Sequence, residues 1–109
     1  MTAAGFRKIA LKMPGAIESS HMGHPDFRAN GKIFATLDAD MKRGMVKVTP
    51  QLQGELVAEH PKMFAPVNGA WGLQGCTWVN LKDADEDALG RAMTEAWKRS
   101  SVKPVKRKK

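Results

Sequence analysis

The chain has 109 residues, of which 42% are hydrophobic and 27% charged, which suits one hydrophobic core and is too little for two ordinary domains. No apolar run approaches the roughly 18 residues of a membrane-spanning helix, and a lone cysteine excludes an internal disulfide, so we expect a cytoplasmic monomer without membrane contact. The net charge of +7 lies at one end, because residues 98–109 hold seven bases and no acid, whereas residues 1–97 carry 11 of each.

The first predicted element is an amphipathic helix. Phe6, Ile9, Ala10 and Met13 follow one another at i, i+3, i+4 and i+7, the spacing that aligns side chains on one helix face. Pro14 and the glycine after it end the pattern. The spacing predicts a helix over residues 3–13.

A β-hairpin is predicted next. Asn-Gly at positions 30 and 31 suits a type I′ turn, whose two central residues need positive φ, and it predicts strands over 24–29 and 32–38. A two-residue turn would pair Phe27 with Phe34. The same register places His24, Asp26 and Arg28 together on the other face of the strand.

A short strand and a second helix follow the hairpin. The β-forming sequence MVKVT predicts a strand over 45–49. Thr49 and Pro50 are typical of the cap and first position of a helix, whose apolar stripe is Leu52 and Leu56. His60-Pro61 predicts its end.

The last third of the chain predicts strand and then helix. Residues 71–81 are rich in tryptophan, threonine and valine, and they predict one broken strand or a tight pair, with Gly72 and Gly75 at bends or close approaches. The final helix is predicted to open at Asp83 or Asp85; Asp83 with Glu86 resembles a capping box. Its predicted buried face is Leu89, Met93, Ala96 and Trp97.

Together these elements predict an α+β fold. The order α-β-β-β-α-β-β-α, with short connections between strands, favours a two-layer arrangement of a curved antiparallel sheet with flanking helices. We predict a single domain over residues 1–99. Residues 100–109, with almost no apolar content, are predicted to form a flexible Lys/Arg-rich tail.

Residues that could carry chemistry are interpreted as structural. His21 and His24 would point to opposite faces of one extended strand, so no metal site is predicted. Cys76 has no adjacent base and is expected to be a small buried residue. Asp38 and Asp40 suit turn chemistry better than catalysis, and the tryptophans are expected in the core. No nucleotide-binding glycine pattern occurs, so we expect no cofactor and no enzymatic activity.

The basic residues suggest contact with nucleic-acid phosphates. Two predicted turns place bases at hairpin tips. Residues 98–109 add seven bases, which is compatible both with a solubilising tail and with nonspecific nucleic-acid contact. The candidate phosphate-contacting residues are Arg28, Lys32, Lys42, Arg43, Lys47, Lys103, Lys106, Arg107, Lys108 and Lys109.

The order of three segments resembles the MmcQ/YjbR family. These are PGAIESSHMGHPDFRANGKIFATL, then VKVTPQLQGELVAEHPKMFAPVNGAWGLQGCTWVNL, and a helix ending in EAWKRS. The resemblance implies a small α+β domain compared to a double-wing DNA-binding shape or a secretion-chaperone-like fold, in a family labelled DNA-binding and without agreed catalytic residues. Most of its recurrent positions are interpreted as building the hairpin and packing the sheet; these positions are Phe27, Gly31, Lys32, Phe34, Trp71, Gly72 and Trp78.

We therefore expect a non-enzymatic protein that binds DNA nonspecifically and in a salt-dependent manner. The alternative is a module that binds a protein or peptide on its curved sheet, with the tail incidental.

Overall fold

The computed structural model describes residues 1–101, apart from the side chain of His21. It is an α+β fold with one open, antiparallel, six-stranded sheet in the order β1-β2-β3-β4-β6-β5. The predicted fold class and order of elements are confirmed, and the structure adds strand β1 and the one-turn helix α3. The elements are α1 (Ala3–Leu11), β1 (Ile17–His21), β2 (His24–Ala29), β3 (Lys32–Leu37), β4 (Arg43–Lys47), α2 (Pro50–Glu59), β5 (Phe64–Pro66), α3 (Ala70–Leu73), β6 (Cys76–Asn80), a 3-10 turn (Leu81–Asp83) and α4 (Glu86–Ser101).

One hydrophobic core joins the helices to one face of the sheet. Phe6 and Ala10 of α1 are fully buried in it, which confirms the predicted helical face. From α4 the predicted residues Leu89, Met93 and Ala96 are buried, whereas Trp97 is only half-buried and donates its indole N–H to the carbonyl of Pro14 at 2.8 Å. Among residues 1–101 no helix is long and apolar enough to cross a membrane.

The central hairpin forms at the predicted turn but contains a β-bulge. Asn30 and Gly31 both have positive φ, 57° and 76°, as a type I′ turn requires. Phe27 pairs with Ala35, not with Phe34 as predicted, because the register shifts beside Phe27 and leaves Phe34 as an extra residue in β3. The bulge allows the consecutive residues Phe34 and Ala35 both to be buried.

A second hairpin precedes the predicted one. Met22 and Gly23 have φ values of 52° and 82° and reverse the chain between β1 and β2. His21 and His24 are therefore direct backbone partners across the hairpin, and the prediction of one extended strand through both is wrong. In the described part of the chain no three His, Cys, Asp or Glu side chains are grouped as metal ligands would be.

The segment between α2 and α4 differs from its prediction at two points. Residues 70–73 form α3, so Trp71 lies on a helical turn and not on a strand. Asp85 accepts a hydrogen bond from the amide of Ala88 at 2.8 Å, which makes it the cap of α4. The predicted capping box of Asp83 with Glu86 is wrong, because Asp83 lies in the 3-10 turn that precedes the helix.

Candidate functional site: a basic cleft

A cleft of about 490 Å³ opens where the C-terminal end of α4 meets the sheet. Side chains from β2, β3, β4, α3, β6 and α4 line it. Four of them are cationic, and none of the described lining residues is acidic. The cationic residues are Arg28, Lys32, Lys47 and Arg99. We call this site the basic cleft.

Arg28 is held in the cleft by the carboxylate behind it. Asp26 is only 1% exposed and accepts hydrogen bonds from Nε of Arg28 at 2.8 Å and from Nη2 at 3.1 Å. The two residues lie two apart on the same strand face, as predicted. The hydrogen bonds that Arg28 donates to Asp26, together with the negative charge of that carboxylate, raise the pKa of Arg28, and the guanidinium keeps its Nη1 edge for another acceptor.

Arg99 reaches the cleft from the last turns of α4. Its Nη1 donates to the backbone carbonyl of Val48 and, at 2.8 Å, to that of Gln74, which anchors one edge of the guanidinium. Gly75 makes room for this contact, since a Cβ there would lie 1.9 Å from the Val48 oxygen. Its φ of 106° is also one that only glycine adopts readily. This confirms the predicted close approach at Gly75.

Trp71 forms an aromatic wall of the cleft. The residue is 60% exposed, and the ammonium of Lys47 lies 5.7 Å from the ring centroid. The turn carrying Trp71 packs closely on the chain, because a Cβ on Gly72 would lie 1.7 Å from the carbonyl oxygen of Val67. Gln53 fixes it further by donating to the Gly72 carbonyl at 3.0 Å.

Cys76 lines the same cleft but is buried, as predicted. Burial raises the pKa of its thiol, and the nearby charges of Lys47 and Arg99 oppose that rise. The net direction is upward, so the thiol is mostly protonated at neutral pH and is a poor nucleophile. What the cleft offers to a ligand is therefore positive charge and, on one side, the aromatic ring of Trp71.

Comparison with known proteins agrees with this fold. The family model described as YjbR matches residues 11–99. The chain belongs to the YjbR family. A similar solved structure is the crystal structure of Deinococcus radiodurans protein DR2400, which carries the domain DUF419. The TM-score is 0.78 at 20% identity, over 97% of this chain and 83% of that one. No curated protein matches the chain.

In this YjbR protein the predicted phosphate-contacting residues divide between two ends of the sheet. Arg28, Lys32 and Lys47 line the basic cleft. Lys42 and Arg43 lie at the opposite end of β4, where Arg43 is four residues from Lys47 and hence about 13 Å away along the strand. The two hairpin tips predicted from the sequence are therefore separate surfaces.

The second surface, formed by Lys42 and Arg43, also makes contacts within the YjbR fold. Arg43 forms an ion pair with Asp38 at 2.9 Å, and its guanidinium carbon lies 3.6 Å from the ring centroid of Trp78. Asp40 accepts from the amide of Lys42 at 3.0 Å, which confirms the turn chemistry predicted for Asp40. Arg43 is thus fixed by Asp38 and Trp78, much as Arg28 is fixed by Asp26.

Some site residues were not predicted from the sequence. Arg99 was counted only with the basic terminal segment, and Trp71 was wrongly interpreted as a core and packing position. Gln74 also lines the cleft, and no pattern in the sequence distinguishes it as a site residue. The other predicted contacts lie outside the described residues: Lys103, Lys106, Arg107, Lys108 and Lys109.

Proposed function

We propose that this YjbR protein binds nucleic acid by contacting its phosphates in the basic cleft, without chemistry and without reading base sequence. The observation that carries the proposal is the grouping of four cationic side chains in one cleft whose described lining residues include no carboxylate. Such a local group concentrates positive potential even though residues 1–97 are formally neutral. Phosphate contacts of this kind position a chain but carry no sequence information.

The arginines of the cleft support binding because their positions are fixed before a ligand arrives. Arg28 donates hydrogen bonds from Nε and Nη2 to Asp26, and Arg99 donates from Nη1 to two backbone carbonyls. Each guanidinium has five N–H donors in a planar fork, so both retain donors for phosphate oxygens. Fixed donors lose little conformational entropy when an anion binds.

The basic tail supports the same proposal. The described part of α4 ends at Ser101, and Ser100 lines the cleft, so the tail is joined to the fold beside it. Residues 103–109 add five bases. Cleft and tail together would neutralise several phosphates, and affinity would then fall steeply with salt.

Binding to a labelled oligonucleotide, followed by fluorescence anisotropy over a range of salt concentrations, tests the proposal. We expect a dissociation constant between about 1 and 100 μM near physiological salt. Lys47→Gln should weaken binding and reduce the magnitude of the log–log salt slope by about one. The matched control is Lys82→Gln, because Lys82 is exposed at the opposite end of β6.

Two results would contradict the proposal. One is failure of the full chain to bind single-stranded or duplex DNA at about 50 mM salt, where electrostatic binding is strong. The other is an equal effect of the Lys47 and Lys82 substitutions, which would make the cleft irrelevant. Peptide binding on the sheet has weaker support, because Trp78 on its free face is already covered by Arg43.

A further inference from the structure

The exposed indole of Trp71 is the feature of the basic cleft that phosphate binding leaves unexplained. A phosphate needs donors and positive charge, which the arginines and lysines supply. Trp71 instead offers an aromatic ring, and the residue is 60% exposed to solvent. An aromatic ring held beside phosphate-binding cations is the combination with which proteins bind single-stranded nucleic acid.

Trp71 is also held firmly enough to act as a stacking surface. Its turn, α3, is packed against Val67 at Gly72. Gln53 donates to the carbonyl of Gly72 within the turn at 3.0 Å and to that of Cys76, which follows the turn, at 2.9 Å. Backbone fixed in this way limits the motion of the indole. A rigid platform binds a base at lower entropic cost than a mobile side chain.

We propose that the basic cleft takes one nucleotide of a single-stranded chain, with its base stacked on Trp71 and its phosphates contacting Arg28, Lys47 and Arg99. This inference rests on the proposed function. The cleft volume of about 490 Å³ lies within the range of clefts that enclose small organic ligands and exceeds the needs of a lone phosphate group. Lys47, 5.7 Å from the ring centroid, links the stacking surface to the phosphate contacts.

Stacking on Trp71 selects single strands over duplex. In a duplex the bases are stacked on one another, and a base reaches the indole only after costly unstacking and unpairing. A single strand offers base and phosphate together. Electrostatics alone gives the opposite preference, because duplex DNA has the higher charge density and the steeper salt dependence. A preference for single strands would therefore identify the contribution of the ring.

The experiment compares the full chain and two variants on oligonucleotides of one mixed sequence, about 12 nucleotides long, as single strand and as duplex. The wild-type chain should bind the single strand more tightly. Trp71→Ala should weaken single-strand binding about tenfold and leave duplex binding within about twofold, while Trp71→Phe retains most of the affinity. Leu73→Ala is the matched control, since Leu73 is an exposed residue of the same turn outside the cleft and should leave both affinities unchanged.

Several outcomes would overturn the inference while leaving the proposed function intact. These are equal or tighter binding of duplex, equal effects of the Trp71 and Leu73 alanine variants, and displacement of the strand by inorganic polyphosphate with no effect of Trp71→Ala. A free mononucleotide that binds as tightly as the strand would also overturn it, in favour of a small-molecule site. Absence of all binding at low salt would instead reject the proposed function itself.

A folding control keeps the test decisive. Trp71 is exposed and its ring contributes little to the core, so Trp71→Ala should keep the wild-type circular dichroism spectrum and thermal midpoint.

Intrinsic fluorescence gives a second measurement on the wild-type chain, because a base stacked on the ring should quench the tryptophan emission. The quenching should disappear in Trp71→Phe, although two other tryptophans remain. Quenching that persists in that variant would count against stacking at this residue.

Discussion

Two glycines inside regular elements, Gly44 in β4 and Gly54 in α2, differ in what lies beside them. A Cβ on Gly44 would lie 2.4 Å from Cε2 of Phe6, whereas nothing lies within 4 Å of one on Gly54. We predict that Gly44→Ala lowers the free energy of unfolding by about 1–3 kcal/mol through overpacking against the ring. Gly54→Ala should raise it by about 1 kcal/mol, because alanine is the better helix former.

Urea unfolding followed by circular dichroism measures both changes, and each variant controls for the other. The two substitutions add the same methyl group, so opposite signs must come from the surroundings of the two positions. If Gly44→Ala were neutral, Phe6 would have to move aside without cost. If Gly54→Ala were destabilising, α2 would need glycine for a reason other than packing.

At the scale of single residues, the sequence predicts what depends on near neighbours in the chain. Asp26 and Arg28 were predicted on one strand face, and they form an ion pair there. Arg99 and Trp71 are 28 residues apart in the sequence and meet only in the folded cleft. Neither has a local pattern that distinguishes a site residue from a helix cation or a core aromatic, so their roles required the structure.

At the scale of elements, α2 shows how a local signal defines a helix. Thr49 accepts a hydrogen bond from the amide of Leu52 at 3.2 Å, and Pro50 occupies the first helical position. We predict that Thr49→Ala lowers the free energy of unfolding by about 1 kcal/mol, because that amide loses its partner. Thr49→Ser keeps the hydroxyl and should change stability much less; a serine variant as unstable as the alanine variant would contradict the capping role. Thermal or urea unfolding of the two variants provides the comparison.

Elements without a local signal were the ones that the sequence did not predict. Strand β1 reads IESSH, which has one large apolar residue and no alternating pattern, and its turn uses Met22-Gly23 where Asn-Gly is the strong signal. Helix α3 has only four residues, and its position depends on the contact of Gly72 with Val67. The bulge that separates Phe27 from Phe34 likewise depends on how the hairpin packs on the core, where both rings are buried.

At the scale of the whole molecule, folding brings together basic residues that are far apart in the sequence. Residues 1–97 are formally neutral, yet three of their cations, Arg28, Lys32 and Lys47, line one cleft, and Arg99 from the basic end of the chain adds a fourth. Lys42 and Arg43 lie at the other end of β3, farther away than the Debye length of about 8 Å at physiological salt. The two ends therefore act as separate charged surfaces, and it is the basic cleft that Ser100 lines, next to the end of the described part of α4.

The tail provides the last prediction, because its charge and that of the cleft can be separated by experiment. Replacing the five bases of residues 103–109 with glutamine keeps the chain length and leaves the cleft intact. Each phosphate contact contributes about 0.9 to the log–log salt slope on duplex DNA, so the slope should lose up to about 4.5 in magnitude. Binding at about 50 mM salt should weaken but persist, and Lys47→Gln in this background should weaken it further. An unchanged slope would show that the tail does not contact DNA. Complete loss of binding at low salt would show that the tail alone carries the affinity.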